Sequence, residues 1–342
     1  MQVEEIRFMQ MSRQHLLQPV EPTQVVRDLC GLQAQFLSHA LHSLKIRSLP
    51  FEQLPDSLAK SWTIRGTMHL FAKADLPLML YEGRERFLRP CDTLEADEAV
   101  SAERKQFFAQ LILNSIGQGE SEREQLKALC ISNGMTEDEE KSLFNPWGGL
   151  IRALCEAGWI YHKPQEKKAY LLCEPFVPFA KAEAEAMLAN RYFTHYGPAT
   201  IRDAAYFFGV SQTKIKSWMK ELPLHSATLD GRNYYWCGEA PMISDDIPDC
   251  IFLSGFDPLM LGYQKTESLY LYDKALRGIF SLNGMVAPAV LLHGKVAARW
   301  QKKGRKLLVT PFTALGARER TLIAEKAAKQ WNDFSQLVIT EE

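Results

Sequence analysis

The sequence predicts an α+β fold in which one unit, three helices followed by a two-stranded β-hairpin, recurs three times and leads into a small C-terminal β element with a terminal helix. Three observations carry this expectation. Apolar residues recur at helical spacing in segments bracketed by Ser, Pro and Gly, and these segments come in threes. Each set runs into two strand-like segments joined by a turn, most clearly at Asp230-Gly231. From about residue 245 the pattern changes to successive short extended runs. Three helices and a β wing are the plan of a winged helix. Tandem winged helices are therefore expected over 1–95, 96–176 and 177–244, with the β element over 245–342.

The first copy is the loosest. It has helices near 3–17, 22–30 and 33–46, a short helical piece near 51–58, and the hairpin SWTIRGTMHLF turning at Arg65-Gly66. Period-two alternation puts Trp62, Ile64, Met68 and Leu70 on one face and Thr67, His69 and Phe71 on the other. In the second copy, Ser101 caps a helix over 101–116 that Gly117 and Gly119 end. SEREQLKALCIS offers Ser121 and Glu124 in capping-box spacing, NPWGGLIRALCEAG closes at Gly158, and WIYHKPQEKKAYLL folds back on itself. The third copy runs through PFAKAEAEAMLANRYFTHYG, PATIRDAAYFFGV entered at Pro198, and SQTKIKSWMKELP between Ser211 and Pro223. On its last helix Trp218 reads as core, while Lys214, Lys216 and Lys220, with Gln212 the one base-reading type, suit phosphate contact better than base reading. The C-terminal part joins three strand-like runs through HGK and KKGRK and ends in the helix RERTLIAEKAAKQWNDF.

Composition sets limits. With 342 residues, 46% of them hydrophobic and 24% charged, the chain can bury several cores. No long apolar run and a polar N-terminus predict neither a membrane span nor a secretory signal, hence a cytoplasmic location. Seven scattered cysteines without CxxC spacing read as reduced thiols, not as a disulfide framework or a zinc site. No acidic cluster has divalent-metal spacing, so no metal or cofactor is expected. The net charge of −1 decides nothing, because nucleic-acid binding needs only a local basic face. The densest such run is Lys295, Arg299, Lys302, Lys303, Arg305 and Lys306. It reads either as a solvated hairpin tip or as a phosphate-binding edge.

GLQAQ, residues 31–35, sets two amides one residue apart in an apolar setting. A buried amide without a partner costs about 1–3 kcal/mol, so Gln33 and Gln35 either cap a corner or face something outside the fold. In a regular helix such a pair lies about 200° apart, whereas in an extended segment both point one way. Gly31 reads as a helix C′ residue and favours a corner. The segment stays open between the two.

GLQAQ, RGTMH (65–69), FDPLMLGY (256–263) and NGMVAPAVLLHGKV (283–296) occur in the order found in the AlkZ/YcaQ group of bacterial DNA glycosylases, which the chain resembles over nearly its whole length. The resemblance implies three winged helices and a β element in a C shape around a basic channel for double-stranded DNA. It also implies a monomer of the bacterial cytosol that removes alkylated bases, notably N7-alkylguanines, with interstrand crosslinks among the substrates. It further implies that Gln33 and Gln35 are catalytic, in the branch with Gln and not Asp at the second position. Arg65, Thr67, His69, Asp257, Lys295, Arg299, Lys302, Lys303 and Arg305 are the expected DNA contacts. Against these stand a solvated turn for Arg65, a structural histidine for His69 and an Asp-Pro turn for Asp257. An N7-alkylated guanine is cationic and leaves readily, so amides that place water and stabilise positive charge at C1′ suffice. No lysine adjoins the pair, so a monofunctional hydrolysis is expected, without a lyase step. The alternative is a non-catalytic winged-helix DNA-binding protein or transcriptional regulator, which calls for base-reading side chains and a dimerisation segment that the sequence does not display. A protein-interaction scaffold would need neither the Gln pair nor the basic run.

Overall fold

Ser101 accepts a hydrogen bond from the Arg104 amide and starts the helix Ala102–Gly117, as its position in the sequence predicts. The computed structural model, a mixed α+β fold, describes residues 1–241 and 247–340. The boundary expected at 244–245 lies outside them. The chain forms two units, one of Met1–Gln53 with Glu185–Glu342, the other Leu54–Ala184. No helix among the described residues is long and apolar enough to cross a membrane.

In the unit 54–184, strands Met68–Ala72, Leu58–Trp62, Ile160–His162 and Tyr170–Leu172 lie side by side in that order. Helices Ala102–Gly117, Arg123–Ser132, Glu137–Leu143 and Leu150–Glu156 surround a core built from Phe108, Ile112, Leu126, Leu143, Leu150 and Leu154. Three expectations are corrected here. Residues 51–58 form no helix; Pro50 and Pro55 interrupt it, and Leu58 already belongs to the strand. Ser121 is not a cap, because its carbonyl receives the Tyr170 amide and the chain there pairs with residues 168–170. The helix Glu137–Leu143, opened by a Thr136–Glu139 capping box, was not expected at all.

In the other unit, helix Val3–Arg13 is shorter than expected, ending before the left-handed His15, whose φ is 61°. Helix Pro22–Asp28 closes in a Schellman turn: the Cys30 amide donates to the Arg27 carbonyl at 3.1 Å and the Gly31 amide to the Val26 carbonyl at 2.8 Å. Cys30 and Gly31 both take positive φ, 55° and 89°, so Gly31 is the second left-handed residue and not the first. The helix expected at 33–46 is consequently delayed. Leu32–Gln33 are extended and the helix is Leu37–Lys45.

The helices Lys181–His195, Ile201–Phe208 and Gln212–Trp218 and the hairpin Leu224–Leu229 with Arg232–Cys237 match the third set. Asp230 and Gly231, with φ of 49° and 74°, make the expected turn. Thr200 and not Pro198 caps the second helix. Trp218 is core, and its indole donates to Glu185 at 2.8 Å. The C-terminal sheet orders Gln336–Ile339, Lys306–Pro311, Lys295–Lys303, Ala289–Leu292 and Cys250–Phe252. Its first and last strands were missed because each is too short to show alternation. The helix Ala317–Gln330 covers one face.

Burial holds three histidines of this fold neutral. His69 and His162 are pushed down to about 3 by desolvation and nearby cations, and His195 to about 4 by desolvation first, against the pull of Asp28. All three folded values lie below the unfolded value near 6.5, so between those limits the unfolded chain binds the extra protons and stability rises with pH. Acidification from pH 6.5 to 5 is expected to cost up to about 1.4 kcal/mol per pH unit per histidine, roughly 4 kcal/mol per unit for three. A melting temperature that stays level across that interval would contradict this.

Candidate active site and nucleic-acid interface

The Schellman turn at 28–31 throws the next residues into an extended path, and the alternation does the rest. Leu32 and Ala34 are each 1% exposed, whereas Gln33 is half-buried and Gln35 exposed. Burial thus alternates from Leu32 to Gln35, with the two apolar residues inside the core and, less buried than either, the two amides. Neither caps the following helix: Phe36 occupies its N-cap position, without a side-chain cap.

That helix is fixed from below by a buried ion pair. Arg47 and Asp257 are both fully buried, with Nη2 to Oδ1 at 2.6 Å and Nη1 to Oδ2 at 3.0 Å. Ser43 and Ser254 also reach Asp257, and its Oδ1 accepts the Leu259 amide at 2.9 Å, capping the short helix Pro258–Leu261. One carboxylate thus ties the chain just after GLQAQ to FDPLMLGY. His42 anchors the same helix to the C-terminal sheet, donating to the Phe252 carbonyl at 2.8 Å between Trp300 and Trp331. NGMVAPAV joins in through the Phe256 amide, which donates to the Val286 carbonyl at 3.3 Å. Gly255 permits this approach, since a Cβ there would sit 3.0 Å from both the His39 ring and the Val286 oxygen. FDPLMLGY and NGMVAPAVLLHGKV are therefore packed together with the helix that follows GLQAQ. Arg47, which makes it possible, went unnoticed in the sequence; an arginine inside the apolar LKIRSLP was its sole signal.

Asp257 is accordingly not a surface contact; it has no exposed atom with which to reach a ligand and serves to position the corner. His69 is corrected in the same way. It stands opposite Ser61 in a strand buried on both faces and is fully enclosed. Its Nδ1 lies 2.9 Å from the Thr67 carbonyl and 3.0 Å from Thr63 Oγ1, bracing the turn that carries Arg65. Arg65 and Thr67 are half-buried at that turn, where Gly66 takes φ 68°.

The basic run forms an antiparallel pair with a two-residue turn at Gly304-Arg305. The pairing shifts register at a bulge between Val296 and Ala298, while burial goes on alternating along the strand. Beyond it Ala298, Trp300 and Lys302 turn toward the covering helix, while Arg299 and Lys303 are exposed, with the exposed Lys306 opposite Lys303. Lys302 is thereby removed from the basic face: its ammonium donates to Asp333 at 2.6 Å and to the Gly304 carbonyl at 2.8 Å. Lys295 and Arg305 are exposed at the two ends of the run.

With this corner in view, the family model for DNA glycosylase AlkZ-like proteins matches residues 26–331. The chain belongs to the AlkZ-like DNA glycosylase family. Membership makes it an enzyme acting on the N-glycosyl bonds of DNA. The chain is 25% identical over 330 residues, 88% of each sequence, to the interstrand DNA cross-link repair glycosylase of Streptomyces sahachiroi. The solved structure of DNA glycosylase AlkZ from the same organism matches with a TM-score of 0.74 at 22% identity over 99% of both chains. That second likeness speaks for the α+β fold. The AlkZ-like match begins before GLQAQ and ends after the basic hairpin, so all four motifs fall within it.

Proposed function

We propose that this glycosylase hydrolyses the N-glycosidic bond of cationic, N7-alkylguanine-type bases in double-stranded DNA, and that Gln33 and Gln35 carry the reaction. The observation that supports this most is that both amides stand less buried than the neighbouring Leu32 and Ala34, in a segment leading into the helix held by the Arg47–Asp257 ion pair, which suits two preorganised amides serving one reacting centre. The leaving group needs no proton, since alkylation has already made it cationic. One amide oxygen orients a water toward C1′ while the other stabilises the positive charge that develops as the bond to the base breaks. No metal or cofactor enters. Interstrand crosslinks formed through N7 have the same bond to break, and the name of the Streptomyces relative favours including them as substrates.

The three helix-and-hairpin sets are read as winged helices over 1–95, 96–176 and 177–244, acting as a monomer in the bacterial cytoplasm. Arg65, Thr67, Lys295, Arg299, Lys303 and Arg305 are the proposed DNA contacts, joined by Lys306, with His69 and Asp257 supporting them from within. A transcriptional regulator has less behind it. Lys214, on the best candidate reading helix, is held by Glu185 at 3.3 Å and lies over the Trp218 ring.

Release of free 7-methylguanine from duplex DNA, with a nitrogen-mustard crosslink tested beside it, examines this reading. Unreleased base in both would remove it. The DNA contacts have their own test. Alanine at Arg299, Lys303 and Lys306 is expected to weaken binding to any sequence and to flatten the log–log salt dependence by about 0.9 per lost phosphate contact, whereas Lys302→Ala leaves the slope in place. A slope unmoved by the triple variant would return the hairpin to the status of a solvated turn.

A further inference from the structure

The residue after Gln35 is the least expected in the corner. Phe36 occupies a helix N-cap position, where Ser, Thr, Asp or Asn would satisfy a free amide, and it keeps its ring 43% exposed. The ring is supported from behind. Phe256 lies stacked against it, centroids 6.0 Å apart and planes 22° apart, and is itself only 5% exposed. To hold that position Phe256 adopts φ 57°, the left-handed region that bulky residues avoid, and such outliers persist where the surroundings enforce them. His39 closes the group, edge-on to Phe36 at 5.8 Å and tilted to Phe256 at 6.2 Å. Cap, exposure and backbone are all set against local stability, and together they leave the Phe36 side chain partly open at the residue that follows Gln35.

We propose that the exposed face of Phe36 is the binding surface for the alkylated purine and the part of the site that selects a cationic base. The proposal rests on the glycosylase reading above and adds the recognition element. An aromatic face attracts a cation through its quadrupole and stacks with any planar base, so a positively charged purine gains from both where a neutral purine gains from one. Phe256 keeps the ring from folding back onto the corner. His39, held neutral by burial, adds no positive charge to oppose the ligand. A base seated on this ring adjoins the residue that carries the Gln35 amide, as a glycosidic bond awaiting attack requires.

The test separates recognition from chemistry by measuring two quantities on a duplex with one 7-methylguanine: equilibrium preference over undamaged duplex, taken in a Gln35→Ala background, and the single-turnover rate at saturating enzyme. Phe36→Leu, which keeps an apolar side chain and removes the π face, is expected to lower the lesion preference on the order of ten- to a hundredfold without weakening binding to undamaged DNA. Phe36→Trp should recover the preference that the leucine loses, and melting temperatures guard against misfolding. Phe36→Leu with an intact preference overturns the proposal, as does a uniform loss on damaged and undamaged DNA. A wild-type preference for the lesion without base release would instead sink the catalytic reading and leave the ring's role standing.

Discussion

Gln35→Ala is expected to lower single-turnover base release by roughly 10²- to 10³-fold, the loss typical of removing one preorganised polar group from a reacting centre, while DNA binding and melting temperature change little. Gln33→Ala should behave alike and more severely, since the resemblance implies that the first position is always Gln and only the second varies. Gln35→Asp should retain activity, because an anion beside an oxocarbenium-like centre is favourable. The structure gives these expectations a basis that the sequence lacked. Leu32 and Ala34 anchor the segment in the core, whereas Gln33 is half-buried and Gln35 exposed, so the alanine variants leave both anchors in place. Wild-type rates in both alanine variants, or losses that track unfolding, would make the amides ornaments of the corner.

Asp257→Ala is expected to destabilise the protein by about 3–5 kcal/mol, because it leaves the Arg47 guanidinium fully buried with no carboxylate. At roughly 2–4 °C per kcal/mol for a folding unit of this size, the melting temperature should fall on the order of 10 °C. Replacing both partners, Arg47→Met with Asp257→Ala, should recover much of the loss, since the cost lies in the stranded charge and not in the absent pair. Calorimetry on the single and double variants decides this. A single variant within about 1 kcal/mol of wild type would mean that water or a neighbouring carboxylate already compensates the arginine. The result bears on function too, for this pair ties the end of the helix that follows GLQAQ to FDPLMLGY, and a loosened corner should slow base release even below the melting range.

What could be read in advance followed the range of the physics involved. Caps and turns are local, and Ser101, Ser211 and Asp230-Gly231 do what their neighbours dictate. The delayed helix after Gly31 was half-visible: the glycine signalled a corner, but the first left-handed residue, Cys30, carries no such signature. Asp257 and Arg47 meet across 210 residues, a distance at which no periodicity or spacing speaks, so Asp257 looked like a turn residue within reach of DNA. His69 was misjudged for a related reason. Alternation divides its hairpin into two faces, but both are covered, with His69 and Phe71 buried on one and Leu70 on the other, and that covering comes from elements distant in the sequence. Lys302 shows the same kind of limit on a smaller scale, since strand alternation turns it away from Arg299 and Lys303 and the distant Asp333 holds its ammonium.

The central claim, hydrolysis by an amide pair on a base that is already a leaving group, is tested most directly by single-turnover reaction with a duplex holding one 7-methylguanine, in the presence of a chelator and of borohydride. The account predicts one equivalent of free 7-methylguanine per duplex from the wild-type chain, no protein–DNA adduct trapped by borohydride, and no release from the Gln33→Ala/Gln35→Ala double variant that still binds and melts normally. Base release by that folded double variant at the wild-type rate, or a trapped adduct, would contradict it.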